Sequence, residues 1–248
     1  MAFTVCHFFR FPLQRIFPTL WLSILVLISS GEAGAGTDEA LEAFLRKDYS
    51  MALKHYAPLA EHGDPTAQFV LGVIFANGGE EVEKDVTAAV RWYRLSADQG
   101  NWLAMADLGV MYENGNGVLQ DYTEAVRLYR EAVKKDYPLA QHNLGRMYYF
   151  GRGVRKDLAE AFRLNSLAAE QGNSSAQLML GMMHEQGYGT PQDYVQAHKW
   201  FNLAAARGNE LAAQSRNQLS EKMTPAQIAE AQKLAREWKV REWKPKKE

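Results

Sequence analysis

The chain has 248 residues, 47% of them apolar and 23% charged, with a formal net charge of −1. This balance excludes a collagenous, coiled-coil, wholly disordered or polytopic membrane chain. It also lacks the basic surplus with which a nucleic-acid binder neutralises phosphates.

The first element in chain order is a leader. Residues 1–18 carry Arg10 and Arg15 and no acid, an apolar run extends from Leu20 to Ile28, and Ala33-Gly34-Ala35 follows. A basic start, a short apolar run and a small-residue exit predict a signal peptide cleaved after Ala35. The run is shorter than the roughly 20 apolar residues that span a bilayer. The alternative is an uncleaved anchor beginning as early as Phe8, with Arg10 and Arg15 inside it. The expected destination is the periplasm, with no membrane contact after cleavage. The single cysteine, Cys6, falls in the leader. The remainder therefore has no thiol for a disulfide framework, a Cys–zinc site or a cysteine nucleophile.

Beyond the leader the chain repeats itself. Asp85, Asp121, Asp157 and Asp193 are each 36 residues apart. Ala89, Ala125, Ala161 and Ala197 keep the same interval, as do Ala97, Val133, Ala169 and Ala205. Leu-Gly pairs end at Gly72, Gly109, Gly145 and Gly181, and glycine pairs follow at Gly115/Gly117, Gly151/Gly153 and Gly187/Gly189. A fixed period of this size signals a solenoid.

Each unit reads as two helices. In the third, Ala140, Leu144, Met147 and Tyr148 share one helix face, and Gly151 stops that helix. Asp157 caps the next, with Glu160 placed to complete a capping box; Phe162, Leu164, Leu167 and Ala168 are its apolar face. Gly145, inside the first helix, implies that two helices approach too closely there for a side chain. At the N-terminal end Asp48, Ala52, Tyr56, Ala60 and Gly63 match a second helix, and a shorter-looped helix precedes them. At the C-terminal end Thr224-Pro225-Ala226-Gln227 is a cap, a proline at the first helical position and a capping-box glutamine. The expected organisation is a 1–35 leader, a 36–63 helical pair, units at 64–100, 101–136, 137–172 and 173–208, capping helices at 209–240 and a polar 241–248 tail. The fold class is all-α: a right-handed α/α solenoid of about six antiparallel helix pairs.

The run Ala140-Gln141, Leu144-Gly145, Tyr148, Gly151-x-Gly153-Val154, Asp157, Ala161 resembles the Sel-1-like repeat, a relative of the tetratricopeptide repeat. So do Ala176-Gln177, Leu180-Gly181, Gly187-x-Gly189 and Trp200-Phe201. The resemblance covers about residues 48–208, and the ending from Met223 to Trp238 is similar to that of bacterial secreted members. It implies an adaptor that binds peptides or protein surfaces, in bacteria often periplasmic. A cysteine-rich branch associated with penicillin binding is not matched, because its paired cysteines are absent.

Enzyme constellations are largely missing: there is no G-x-S-x-G, S-x-x-K, Walker loop or H-E-x-x-H. The G-x-G pairs follow helices rather than strands and read as helix stops, not dinucleotide fingerprints. No histidines pair at metal-ligand spacing, and no cofactor is expected. By resemblance to tetratricopeptide folds, first helices line the concave groove. Its variable lining is Phe69 and Val73 in the first unit, Glu113 and Asn114 in the second, His142, Arg146, Tyr149 and Phe150 in the third, and Met182 and Glu185 in the fourth. An arginine one turn from two aromatics suits a carboxylate flanked by an apolar group. Trp102 also stands out, since Pro65 and Pro138 hold its place in other units. The expected function is a non-enzymatic protein- or peptide-binding scaffold of the bacterial envelope. An envelope hydrolase and a carbohydrate-binding module remain as alternatives.

Overall fold

The computed structural model describes residues 37–241. The expected leader with Cys6, its expected cleavage point and residues 242–248 lie outside the described residues. Among the described residues there are twelve α-helices and no strand. They are α1 Thr37–Leu45, α2 Tyr49–Glu61, α3 Pro65–Asn77, α4 Val86–Asp98, α5 Trp102–Asn114, α6 Tyr122–Val133, α7 Pro138–Phe150, α8 Leu158–Glu170, α9 Ser174–Gln186, α10 Tyr194–Ala205, α11 Glu210–Ser220 and α12 Pro225–Glu237. Odd-numbered helices are the first members of each pair, even-numbered the second. Packing runs mainly between helices adjacent in sequence, as in a solenoid, and α12 folds back onto α10 to close the end.

The repeated aspartates start the second helices as expected. Asp85, Asp121, Asp157 and Asp193 each accept backbone N–H groups of the first turn through their side chains. The expected box at Asp157 is only half made. Glu160 does not reach back; its carboxylate pairs with Arg163 at 2.7 Å, and Glu124 pairs with Arg127 in the same way. A charged partner one turn ahead outcompetes the single cap N–H. Thr224 and Gln227 form the complete box.

Gly145 has the close contact its sequence context implied. A Cβ there would lie 2.5 Å from Asn165 Nδ2. In the other units the same glycine faces an aromatic ring: Gly72 meets Tyr93, Gly109 meets Tyr129 and Gly181 meets Phe201. In these three units the first helix is thus clamped to its second by a ring lying over bare backbone, and in the third unit by the Asn165 amide.

The second glycine of each G-x-G does more than stop a helix. A Cβ on Gly153 would sit 2.2 Å from the Tyr122 carbonyl oxygen, at the start of the preceding unit's second helix. Gly117 and Gly189 abut Val86 and Leu158 in the same fashion. The loop therefore packs unit onto unit. Trp102 is buried, with its ring edge-on to Tyr137 of the following unit at 4.8 Å.

Junctions between units are tied by amides. Gln99 Nε2 donates to Gln68 Oε1 at 2.8 Å and to the Gly63 carbonyl at 2.9 Å. Two units along, Gln171 Nε2 donates to Gln141 Oε1 at 2.9 Å, and Gln141 donates to Asp136. Each amide pair lies within one unit and reaches Gly63 or Asp136 of the preceding unit, which helps fix the relative setting of neighbours.

Candidate functional site

The proposed groove residues fall into three groups. Phe69, 2% exposed, is core: its ring stacks at 5.9 Å from Tyr93, over Gly72. Val73 is half-buried against the same core. His142 is also buried, with a ring nitrogen 2.8 Å from Asn165 Oδ1. Burial pushes its pKa down to about 4, so the ring is neutral near pH 7. Phe69 and His142 face their own second helix, and neither presents surface to a partner. Their variability has another cause. Positions 69 and 93 are Phe and Tyr, and 178 and 201 are Leu and Phe, while 142 and 165 are His and Asn. The third unit has replaced an apolar pair by a hydrogen-bonded one.

The second group is a polar tie. Glu113 is buried, accepts a hydrogen bond from Tyr129 Oη at 2.9 Å and pairs with Arg146 at 3.0 Å. The tie links α5, α6 and α7. Arg146, expected to meet a partner's carboxylate, thus already pairs with a carboxylate of its own chain. Glu185 likewise pairs with Lys222 at 3.1 Å, joining α9 to the segment before α12. Asn114 is exposed, and its amide closes onto the Val110 carbonyl of its own helix at 3.0 Å.

The third group is an exposed aromatic cluster. Phe150, 50% exposed, lies edge-on to Tyr149 at 4.9 Å. Tyr149 in turn lies edge-on to Tyr188 at 6.1 Å, and Tyr188 is 40% exposed. The Arg152 guanidinium stands 5.1 Å over Phe150 and 5.6 Å over Tyr122. Met182 is 40% exposed on α9, the next first helix. Burial and the nearby Tyr188 raise the Tyr149 phenol, so it stays a neutral donor. Tyr188 and Arg152 were not singled out from the sequence. The signal was available: they fill the variable place between the paired glycines, where Asn116 stands in the second unit.

No cluster of three or more potential metal-ligating side chains occurs among the described residues. Two concavities, one lined by Gln192–Val195 with Gln227 and one by Leu53, Phe75 and residues 81–86, are open to solvent; neither includes the aromatic cluster.

The repeat geometry has a counterpart in known sequences. The Sel1 repeat matches residues 41–64, 65–101, 102–137, 138–173 and 174–209, one contiguous array. The chain belongs to the Sel1 repeat family. Among solved structures it is similar to a protective antigen present in uropathogenic Escherichia coli strains that displays an SLR fold. That similarity is 34% identity and a TM-score of 0.74 over 86% of this chain and 43% of the antigen. The chain thus spans less than half the antigen's length. A Sel1 repeat protein from Oxalobacter formigenes is 27% identical, with a TM-score of 0.65 over 79% of this chain and 84% of that one. No curated protein matches the sequence significantly. These Sel1 repeats form an all-helical scaffold, an architecture that typically serves protein–protein contact.

Proposed function

We propose that this Sel1 repeat protein is a non-enzymatic scaffold of the bacterial envelope, exported by its leader, that captures a protein or peptide segment. The capture site is the aromatic cluster of Tyr149, Phe150, Arg152 and Tyr188, together with exposed Met182 of the next first helix. The observation that carries this reading is the exposure of those rings. Large apolar side chains gathered at one place on a surface mark binding sites, and aromatics with arginine dominate the energy of such contacts. The rings already brace one another, so little side-chain freedom is lost on binding. A hydrolase would need a nucleophile, a base and an oxyanion donor gathered in one pocket.

The test is photo-crosslinking in cells. A photoreactive phenylalanine replaces Phe150, or replaces Leu95, an exposed residue of α4, as the control. A discrete adduct is expected from position 150 and not from 95, and Tyr188→Ala should abolish it. An adduct of unchanged yield with Tyr188→Ala, or equal adducts from both positions, would place the binding surface elsewhere. Intact mass of the soluble periplasmic fraction tests export: loss of residues 1–35 is expected. Full-length chain confined to membranes would make the leader an anchor.

A further inference from the structure

The segment that follows α12 turns back along the solenoid. Trp238 ends the helix in an extended conformation. Its ring lies 6.3 Å from that of Trp200, and the Arg207 guanidinium stands 5.0 Å over it. Val240 packs on Gly172, its Cγ2 lying 3.1 Å from where a Cβ on that glycine would be. The Arg241 N–H donates to the Glu170 carbonyl at 2.8 Å, and its guanidinium reaches the Asp136 carboxylate at 3.4 Å. Arg207, Gly172 and Asp136 belong to three successive junctions between units. The segment crosses them in the order opposite to the chain, as an extended peptide laid along one edge.

Asp136 sits in a strained place. The junctions at Gly63, Gly100, Gly172 and Gly208 use glycine at φ between 83° and 95°. The corresponding junction uses Asp136, at φ 61°. A left-handed residue with a Cβ costs free energy that glycine does not. What this aspartate adds is a carboxylate on the edge, shared between Gln141 and Arg241. The strained residue therefore holds both the Gln141 amide and the Arg241 guanidinium. Trp238 packs against the core around Trp200, but beyond it the segment is loosely held: Val240 is 47% exposed and the Arg241 side chain is 45% exposed. An element with little burial opens at small cost.

We propose that this junction edge, from Arg207 through Gly172 to Asp136, is a binding site for an extended partner peptide with an aromatic, an aliphatic and an arginine at the spacing of Trp238, Val240 and Arg241. Residues 238–241 occupy the edge as a resident segment, and the partner enters by displacing them. The resident contacts define the partner's chemistry: a ring to stack under Arg207, a small aliphatic side chain over Gly172, and a cation for Asp136. The site is independent of the aromatic cluster. The two lie at opposite ends of α7, roughly 20 Å apart for a 13-residue helix.

The experiment uses the full chain and a dye-labelled peptide of residues 237–241. Trp238→Ala with Arg241→Ala releases the resident segment. The released variant should bind the peptide at least tenfold more tightly than the parent, because the parent's edge is occupied and only its open fraction is competent. Adding Asp136→Gly should reduce that binding about tenfold. This substitution installs the residue the other junctions use, so the fold is retained, and thermal unfolding verifies it. A peptide with glutamate in place of its arginine should not bind. Phe150→Ala with Tyr188→Ala should leave peptide binding unchanged, which separates this site from the aromatic cluster. Equal binding by parent and released variant, or no saturable binding by the released variant up to millimolar peptide, would make the segment a structural cap only. A concentration-dependent dimer that the peptide dissolves would assign the edge to a second copy and overturn the displacement scheme.

Discussion

His142 and Asn165 occupy places that the fourth unit fills with Leu178 and Phe201, and this difference has a calculable consequence. Burial holds the His142 pKa at about 4, below its ordinary 6.5. That displacement corresponds to about 3 kcal/mol. Because the folded value is depressed, the contribution is complete above pH 6.5. It is lost as pH falls toward 4, where the unfolded chain protonates and the folded chain does not. Asp107 acts in the opposite direction. Burial raises its carboxyl to about 7, so its stabilisation is complete below its ordinary 3.8 and is lost as pH rises toward 7. The two trends overlap between pH 4 and 6.5 and offset each other in the parent chain. A comparison isolates the histidine. His142→Leu with Asn165→Phe copies the fourth unit, placing a ring over Gly145 as Phe201 lies over Gly181. Urea unfolding of parent and variant from pH 7 to pH 4 is the assay. The difference in unfolding free energy should move by about 3 kcal/mol in the variant's favour, nearly all below pH 6.5. A difference independent of pH would refute the claim that burial keeps His142 neutral.

Three further outcomes are expected. Arg146→Ala should destabilise the fold by about 1–3 kcal/mol in chemical denaturation, since it leaves the buried Glu113 carboxylate without its cation; Glu113→Gln in the same background should recover part of the loss. Gly145→Leu should cost about 1–3 kcal/mol by forcing a side chain against Asn165, and a glycine-free first helix of unchanged melting temperature would contradict the clamp. Removing residues 209–248 should uncover Phe201 and Ala204, which pack with Ala212, Leu219 and Ala231. Burying one large apolar side chain contributes about 1.5–3 kcal/mol, so partial unfolding or self-association is expected, read by calorimetry and light scattering.

Much of the fold was legible because its determinants are local. A cap needs an aspartate beside its own helix start, and Asp85 through Asp193 supply it at every unit. The groove was less legible. Residues 69 and 142 vary between units as a binding surface would, yet Phe69 packs on Tyr93 and His142 bonds Asn165, 24 and 23 residues later. Arg146 was recognised as distinctive, but its carboxylate lies on another unit, 33 residues earlier. Tyr188 and Arg152 were hidden inside loops whose glycines drew attention as helix stops.

The sequence by itself determined the period, the helix pairs, their caps and the family, because each depends on residue spacing within one unit. The tertiary structure decided which variable residues are exposed, since that depends on how one helix is rotated against the next. It also decided why the second glycine of each G-x-G is needed: the Tyr122 carbonyl that excludes a side chain at Gly153 belongs to the preceding unit. And it alone placed Arg241 beside Asp136, 105 residues apart in the chain. No local pattern encodes such a pairing, because it arises only after the stacked units have brought their junctions into line along one edge.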